Sequence, residues 1–133
     1  MNKNKMVVEK VSKSGFDKTV ELIISEAERR EWKVPAVHDL QLSLAKSGKS
    51  VKPVKVIEIC KPQYSGKMLE LNDERIMSVM MPCRISVYVK DDGLTYLALI
   101  KGDALADGQK PAVADAMKAA SDETFEIVQT VTD

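Results

Sequence analysis

Residues Cys83–Ile100, CRISVYVKDDGLTYLALI, read as a complete β-hairpin, and the other elements can be arranged around it. From Cys83 to Val89 apolar and polar side chains alternate, which is the period of a strand with one buried face. Asp92-Gly93 supplies the positive backbone φ angle that a tight turn needs. The apolar run Leu94–Ile100 then predicts a second strand, antiparallel to the first.

The segments on either side of the hairpin predict three more strands, two long helices and short helical insertions. We expect strands at Lys5–Val11, Trp32–His38 and Lys52–Cys60, a helix from Asp17 to about Arg30, a long helix from Pro111, and short helices after Asp39 and after Lys61. The order is β-α-β(4)-α. Mostly antiparallel strands with helices on one face make a two-layer α+β fold, and the length fits a single domain, 1–133.

The charge balance excludes several classes of partner. Twenty basic and twenty acidic residues cancel, so the chain lacks the positive field of a protein that binds nucleic acid or an anionic membrane. No apolar run approaches the roughly 18 residues of a membrane span. The N-terminal lysines are not followed by the apolar run of a signal peptide, so we expect a cytoplasmic protein.

Three segments resemble the bacterial and archaeal family called domain of unknown function 302. They are SGFDKTVELIISEAERREWKV, VIEICKPQYSGKML and MMPCRISVYVKDDGLTYLAL, which together cover the chain from Val7 to the loop before Pro111. The features that carry the resemblance are Lys61-Pro62, Pro82-Cys83-Arg84-Ile85 and Asp92-Gly93. It implies a β-α-β(4)-α fold akin to the TATA-binding-protein fold, and a dimer. It supplies no active site, because fold does not carry function.

The chain has two cysteines, and each lies at the end of a predicted strand. Cys60 ends one strand and Cys83 begins another. If these strands are antiparallel neighbours, the two sulfurs lie close together at one edge of the sheet. Such a pair can bind a soft metal or cycle through a disulfide. The alternative is that both cysteines are small hydrophobic residues in the core.

Two further observations extend the cysteine hypothesis to a metal or haem. His38, the only histidine, can complete a three-ligand metal site with Cys60 and Cys83, although the close ligand spacing typical of zinc sites is absent. Met77, Met80, Met81 and Pro82 stand just before Cys83, and thioethers with a thiolate suit copper(I) or a haem iron. The alternative role for these methionines is flexible apolar filling at a pocket or a dimer surface.

Three functions follow from these residues. The first is a small binding module that holds a small ligand or soft metal near Cys60, Cys83, Met80, Met81 and Pro82. The second is a thiol-based redox or sulfur-handling protein that uses the two cysteines in turn. The third is a structural homodimer whose exposed sheet face is the interface. No spacing indicates a catalytic set, which favours a binding protein over an enzyme.

Overall fold

The computed structural model describes residues 6–102 and 106–133, and it contains one five-stranded antiparallel sheet in the order β1-β5-β4-β3-β2. The elements are β1 (Val7–Val11), α1 (Phe16–Arg29), β2 (Lys33–Asp39), α2 (Leu40–Ala45), β3 (Val54–Cys60), α3 (Pro62–Leu69), a 3₁₀ helix (Asp73–Met80), β4 (Cys83–Val89), β5 (Thr95–Ile100) and α4 (Pro111–Gln129). The predicted order β-α-β(4)-α with short helical insertions is therefore confirmed.

The predicted hairpin lies inside the sheet, between β1 on one side and β3 on the other. Tyr88 pairs with Tyr96 and Val89 with Thr95. Gly93 has a φ of 81°, the left-handed conformation that glycine adopts most readily. The second strand of the hairpin begins one residue later than predicted, because Leu94 belongs to the turn: its N–H donates to the carboxylate of Asp92 at 2.9 Å.

All the fully buried sheet side chains point to one face, where α1 and α4 pack. The core comprises Ile57, Ile59, Ile85, Val87, Leu97 and Leu99 from the sheet with Val20, Ile23, Ala27, Ala120, Ile127 and Val128 from the two helices. This arrangement confirms the two-layer α+β class. We call the opposite side, which carries Glu9, Ser86, Tyr88, Tyr96 and Ala98, the open face.

Some expected boundaries are matched only in part. The first strand was expected from Lys5, which lies outside the described residues. The strand expected at Trp32–His38 runs from Lys33 to Asp39 at the edge of the sheet, with a register shift between Lys33 and Ala36. The short helix expected after Lys61 is α3, in which Pro62 is a first-turn residue, and a 3₁₀ helix that was not expected follows it.

The last residues of the described chain return to the end of β1. Lys13 N–H donates to the carbonyl of Val131 at 2.8 Å, and Thr132 pairs with Ser12. The Ser12 hydroxyl is buried and lies 2.6 Å from the hydroxyl of Thr19 on α1. The start of α1, the end of β1 and the end of α4 are therefore joined at one place.

A half-buried carboxylate joins α4 to α3 and to the turn that precedes β2. Glu123 on α4 accepts hydrogen bonds from Trp32 Nε1 at 2.8 Å, Lys61 Nζ at 2.7 Å and the Tyr64 hydroxyl at 2.5 Å. Lys61 Nζ also donates to the carbonyl of Arg30 at 3.0 Å. Burial opposes the ionisation of Glu123, but the bonds from Lys61, Tyr64 and Trp32 outweigh it and lower its pKa below 4.5. The hydrogen bond from the Tyr64 hydroxyl to Glu123 raises the pKa of Tyr64 to about 12.

Replacing this carboxylate should destabilise the fold strongly. We expect Glu123→Ala to lower the free energy of unfolding by about 2–4 kcal/mol, because Lys61 and two neutral donors lose their acceptor. Glu126→Ala, three residues along the same helix, is the matched control: its carboxylate is 56% exposed and pairs with Arg30, so its loss should cost less than about 1 kcal/mol. Urea unfolding followed by circular dichroism measures both.

The pH dependence provides a second measurement for the same variant. Because the pKa of Glu123 is lower in the folded state, its stabilisation is present above about 4.5 and is lost as the pH falls through the folded value. Glu123→Ala should therefore lose less stability than the native chain between about pH 5 and about pH 2. Equal losses of stability in the native chain and in Glu123→Ala would contradict the role given to Glu123. Equal effects of Glu123→Ala and Glu126→Ala on stability at pH 7 would contradict it as well.

Candidate functional site

An apolar cavity of about 200 Å³ lies where the sheet ends against α4 and the 3₁₀ helix. The 3₁₀ helix, the first residues of β4, the end of β5 and one side of α4 enclose it. It is lined by Met68, Met77, Val79, Met80, Met81, Pro82, Cys83, Arg84, Ile100, Gly102, Met117, Ala120, Ser121 and Thr124. The predicted ligand residues Met80, Met81, Pro82 and Cys83 are therefore brought together in one wall.

Methionine is the main lining residue. Five of the seven methionines in the chain line this cavity. Met68 and Met117 close its inner end and are 6% and 8% exposed, whereas Met80 is 37% exposed. The methionine side chain is unbranched and polarizable, so it adapts to ligands of different shape. The cavity therefore has an adaptable apolar wall that runs from the core to the surface.

Helical periodicity places the α4 residues along the cavity. Met117, Ala120, Ser121 and Thr124 are spaced three and four residues apart, so they share one face of the helix. Gly102 lies against this face, where a Cβ atom would come within 3.1 Å of Ser121 Cβ. The absence of a side chain at Gly102 therefore lets the chain after β5 approach α4 closely and form one wall.

The polar atoms at the inner end of the cavity are already hydrogen-bonded. The Thr124 hydroxyl donates to the carbonyl of Ala120 at 2.7 Å. The Ser121 hydroxyl oxygen accepts the N–H of Gly102 at 3.0 Å. Of the lining residues that the structure describes, only Arg84 is charged, and its side chain is exposed. The interior is thus suited to an apolar group rather than to a polar one.

The two cysteines do not form the predicted pair. β3 and β4 are antiparallel neighbours, as expected, but Cys83 pairs with Ile59 and shares its face. Cys60 is one residue further along, so strand alternation points it to the other face. Both thiols are free and half-buried; Cys60 lies 3.8 Å from the Ser65 hydroxyl and does not line the cavity. The expectation of two sulfurs side by side at one rim was wrong.

The predicted three-ligand metal site is not assembled either. His38 is on the edge strand β2, where it pairs with Val56, and its Nε2 lies 2.8 Å from Glu58 Oε2. Val56 is four residues from Cys60 along β3, a separation of about 13 Å. Within residues 6–102 and 106–133, no group of three or more His, Cys, Asp or Glu side chains is placed to hold a metal ion.

Sequence reasoning named one wall of the cavity and missed the other. Met68 on α3 and the α4 face that includes Met117 were not among the predicted ligand residues. A signal was present in the sequence: five methionines fall between residues 68 and 117 and none between residues 7 and 67. Their convergence could not be foreseen, because it depends on how α3 and the 3₁₀ helix pack on α4.

Comparison with known proteins agrees with this architecture. The family model for the domain of unknown function DUF302 matches residues 8–131. The chain belongs to the DUF302 family. A crystal structure of an uncharacterized conserved DUF302 protein from Bacillus stearothermophilus superimposes with a TM-score of 0.85 at 18% identity, covering 96% of this chain and 99% of that one. At this identity the likeness shows the fold alone.

None of the curated proteins compared with this DUF302 chain matches its sequence. Across the part of the chain that the structure describes, no helix has the length and apolar character to cross a bilayer. The likeness to the TATA-binding-protein fold, which the family resemblance implied, stays a prediction.

The environments of the two thiols predict different reactivities. Burial, and to a smaller extent the charge of an ionised Cys60, raises the pKa of the Cys83 thiol above 9.0. In a Cys60→Ser protein, we expect the rate of Cys83 alkylation by iodoacetamide to keep rising above pH 9. At pH 8 it should be at least about tenfold slower than in urea, because the thiolate is the reacting species.

The Cys83→Ser protein, which keeps only Cys60, is the matched comparison for that experiment. Mass spectrometry of the quenched samples gives both rates. Alkylation of Cys83 in the folded protein at the rate found in urea would show that the cavity wall does not shield this thiol.

Proposed function

We propose that this protein binds a small, largely apolar molecule in the methionine-lined cavity. The observation that carries the proposal is the lining itself, in which five methionines and four other apolar side chains surround about 200 Å³ beside Cys83. An apolar cavity of about 150 Å³ accepts benzene, and sites for drug-sized ligands begin at about 300 Å³. The ligand is therefore of the size of a single ring or a short aliphatic chain.

The state of Cys83 favours an apolar group beside it over a soft metal ion or a haem iron. Burial raises the pKa of the Cys83 thiol, and a metal ion would have to displace the thiol proton to gain a thiolate ligand. The neighbouring thioethers make favourable contacts with apolar and aromatic molecules without that step.

The methionine methyl groups provide a direct test of the site. In protein labelled with [methyl-¹³C]methionine, titration with 1-hexanol should shift the methyl signals of Met68, Met77, Met80, Met81 and Met117. Met6 does not line the cavity and is the internal control. Unchanged signals at saturating 1-hexanol, or equal shifts at Met6, would contradict the proposal.

A variant with two fewer thioethers separates the apolar ligand from a soft metal. Leucine and methionine have similar volumes, so Met77→Leu with Met81→Leu keeps the cavity apolar while removing two thioethers. Calorimetric affinity for 1-hexanol should change by less than about threefold, because the buried apolar area is similar. If the variant retained its fold but lost a copper(I) affinity that the native protein possessed, the site would be a metal site instead.

A second proposal concerns the open face, and its occupant is another copy of the chain. Val7, Val11 and Ile100 at its margin are 43–45% exposed, and the rings of Tyr88 and Tyr96 stack at 6.1 Å. The charge beside the two rings is neutralised locally: Glu9 accepts hydrogen bonds from the Tyr88 hydroxyl and from Lys90 Nζ. The part of the face around Ala98 and the two tyrosines can therefore be buried at low electrostatic cost, which supports self-association through it.

Sedimentation equilibrium tests this second proposal. Ala98 is at the centre of the face, between Ser86 and Glu9, so Ala98→Arg would place an unpaired charge inside a symmetric interface. We expect the native protein to sediment as a dimer and Ala98→Arg as a monomer with an unchanged circular dichroism spectrum. Ala112→Arg, on the exposed side of α4, should remain dimeric; a native monomer would refute the proposal.

A further inference from the structure

We infer that the ligand of the cavity is an amphipathic anion, with its apolar body among the methionines and its acidic group on Arg84. The inference rests on the proposed function and specifies the chemical class of the ligand. It is carried by three observations on the described part of the chain: the position of Arg84, the absence of acidic residues from the cavity lining, and the contact of the Glu58 carboxylate with His38 rather than with Arg84.

Among residues 6–102 and 106–133, Arg84 is the only charged residue that lines the cavity. It is the second residue of β4, next to Cys83, and its side chain is exposed. No hydrogen bond or ion pair holds its guanidinium among residues 6–102 and 106–133. A guanidinium offers a planar fork of donors that matches a carboxylate or phosphate with two parallel hydrogen bonds.

The acid best placed to neutralise Arg84 is engaged elsewhere. Glu58 pairs directly with Arg84 across β3 and β4, the position where opposite charges usually interact. Its Oε2 instead lies 2.8 Å from His38 Nε2 on β2. Glu58 therefore contacts the strand on its far side and leaves Arg84 without a partner at the mouth of the cavity.

The geometry of the cavity fixes the orientation of such a ligand. The inner end is closed by buried Met68 and Met117, and the hydroxyls of Ser121 and Thr124 there already have hydrogen-bond partners. The outer end has Arg84 and Ile100, which is 43% exposed. An apolar chain thus enters first, and an acidic group stays at the mouth where water and the guanidinium solvate it.

Paired calorimetric titrations with hexanoate and 1-hexanol test the inference, since the two probes have the same chain and differ in charge. We expect the native protein to bind hexanoate about tenfold more tightly than 1-hexanol at low salt, as for a charge-assisted hydrogen bond. Arg84→Gln should remove this preference while leaving the affinity for 1-hexanol within about twofold. The preference should also shrink at high salt, because the guanidinium is exposed.

Arg75→Gln is the matched control. Arg75 is an exposed arginine of the neighbouring 3₁₀ helix that does not line the cavity, so its replacement should change neither affinity. Arg84→Lys should retain part of the preference, because a lysine keeps the charge but loses the bidentate geometry.

The possible failures are distinguishable. If 1-hexanol binds and shifts the methionine methyl signals but hexanoate binds no more tightly, the cavity is a site for neutral molecules. That result overturns this inference and leaves the proposed function standing. If neither probe binds, the proposed function fails with it. If Arg84→Gln and Arg75→Gln lower hexanoate affinity equally, the preference comes from the general surface charge, and the role of Arg84 is refuted.

Discussion

The burial of one face of the sheet under α1 and α4 is the constraint on which the rest of this structure depends. Side chains alternate along each strand. Because Ile57 and Ile85 face the helices, the alternation decides which face of the sheet every other residue of β3 and β4 points to. This rule points Cys83 toward the helices, where it lines the cavity. It also points Cys60 away, and it leaves Arg84 on the open face beside the mouth.

The regular elements could be read from the sequence because their signals are local. The alternation from Cys83 to Val89, the Asp92-Gly93 turn and the apolar stripe of α4 each specify one element without knowledge of the others. The order β-α-β(4)-α followed from them. The 3₁₀ helix was harder, because Asp73–Met80 exposes Ile76 and Val79 and so shows neither helical nor strand periodicity of burial.

The candidate site was less predictable, for a physical reason. The sequence showed that Met80, Met81, Pro82 and Cys83 are adjacent, and adjacency alone brought them into one wall. The choice of Cys60 as a partner depended on strand neighbours alone and neglected the one-residue offset in register that separates the two faces. The contribution of Met117 depends on tertiary packing, and the isolation of Arg84 depends on which way the Glu58 carboxylate turns.

The return of the chain to the end of β1 has a consequence for folding during synthesis. Ser12 and Val131 are separated by 119 positions and are joined by a hydrogen bond of 3.4 Å, while β1 pairs with β5 some ninety positions away. Contacts so distant in sequence form slowly and late. A ribosome-bound chain can make the β3–β4 pair early, but β1 cannot pair with β5 until residue 100 has left the exit tunnel, so this edge of the sheet is exposed to other nascent chains until then. The contact between Ser12 and Val131 forms later still.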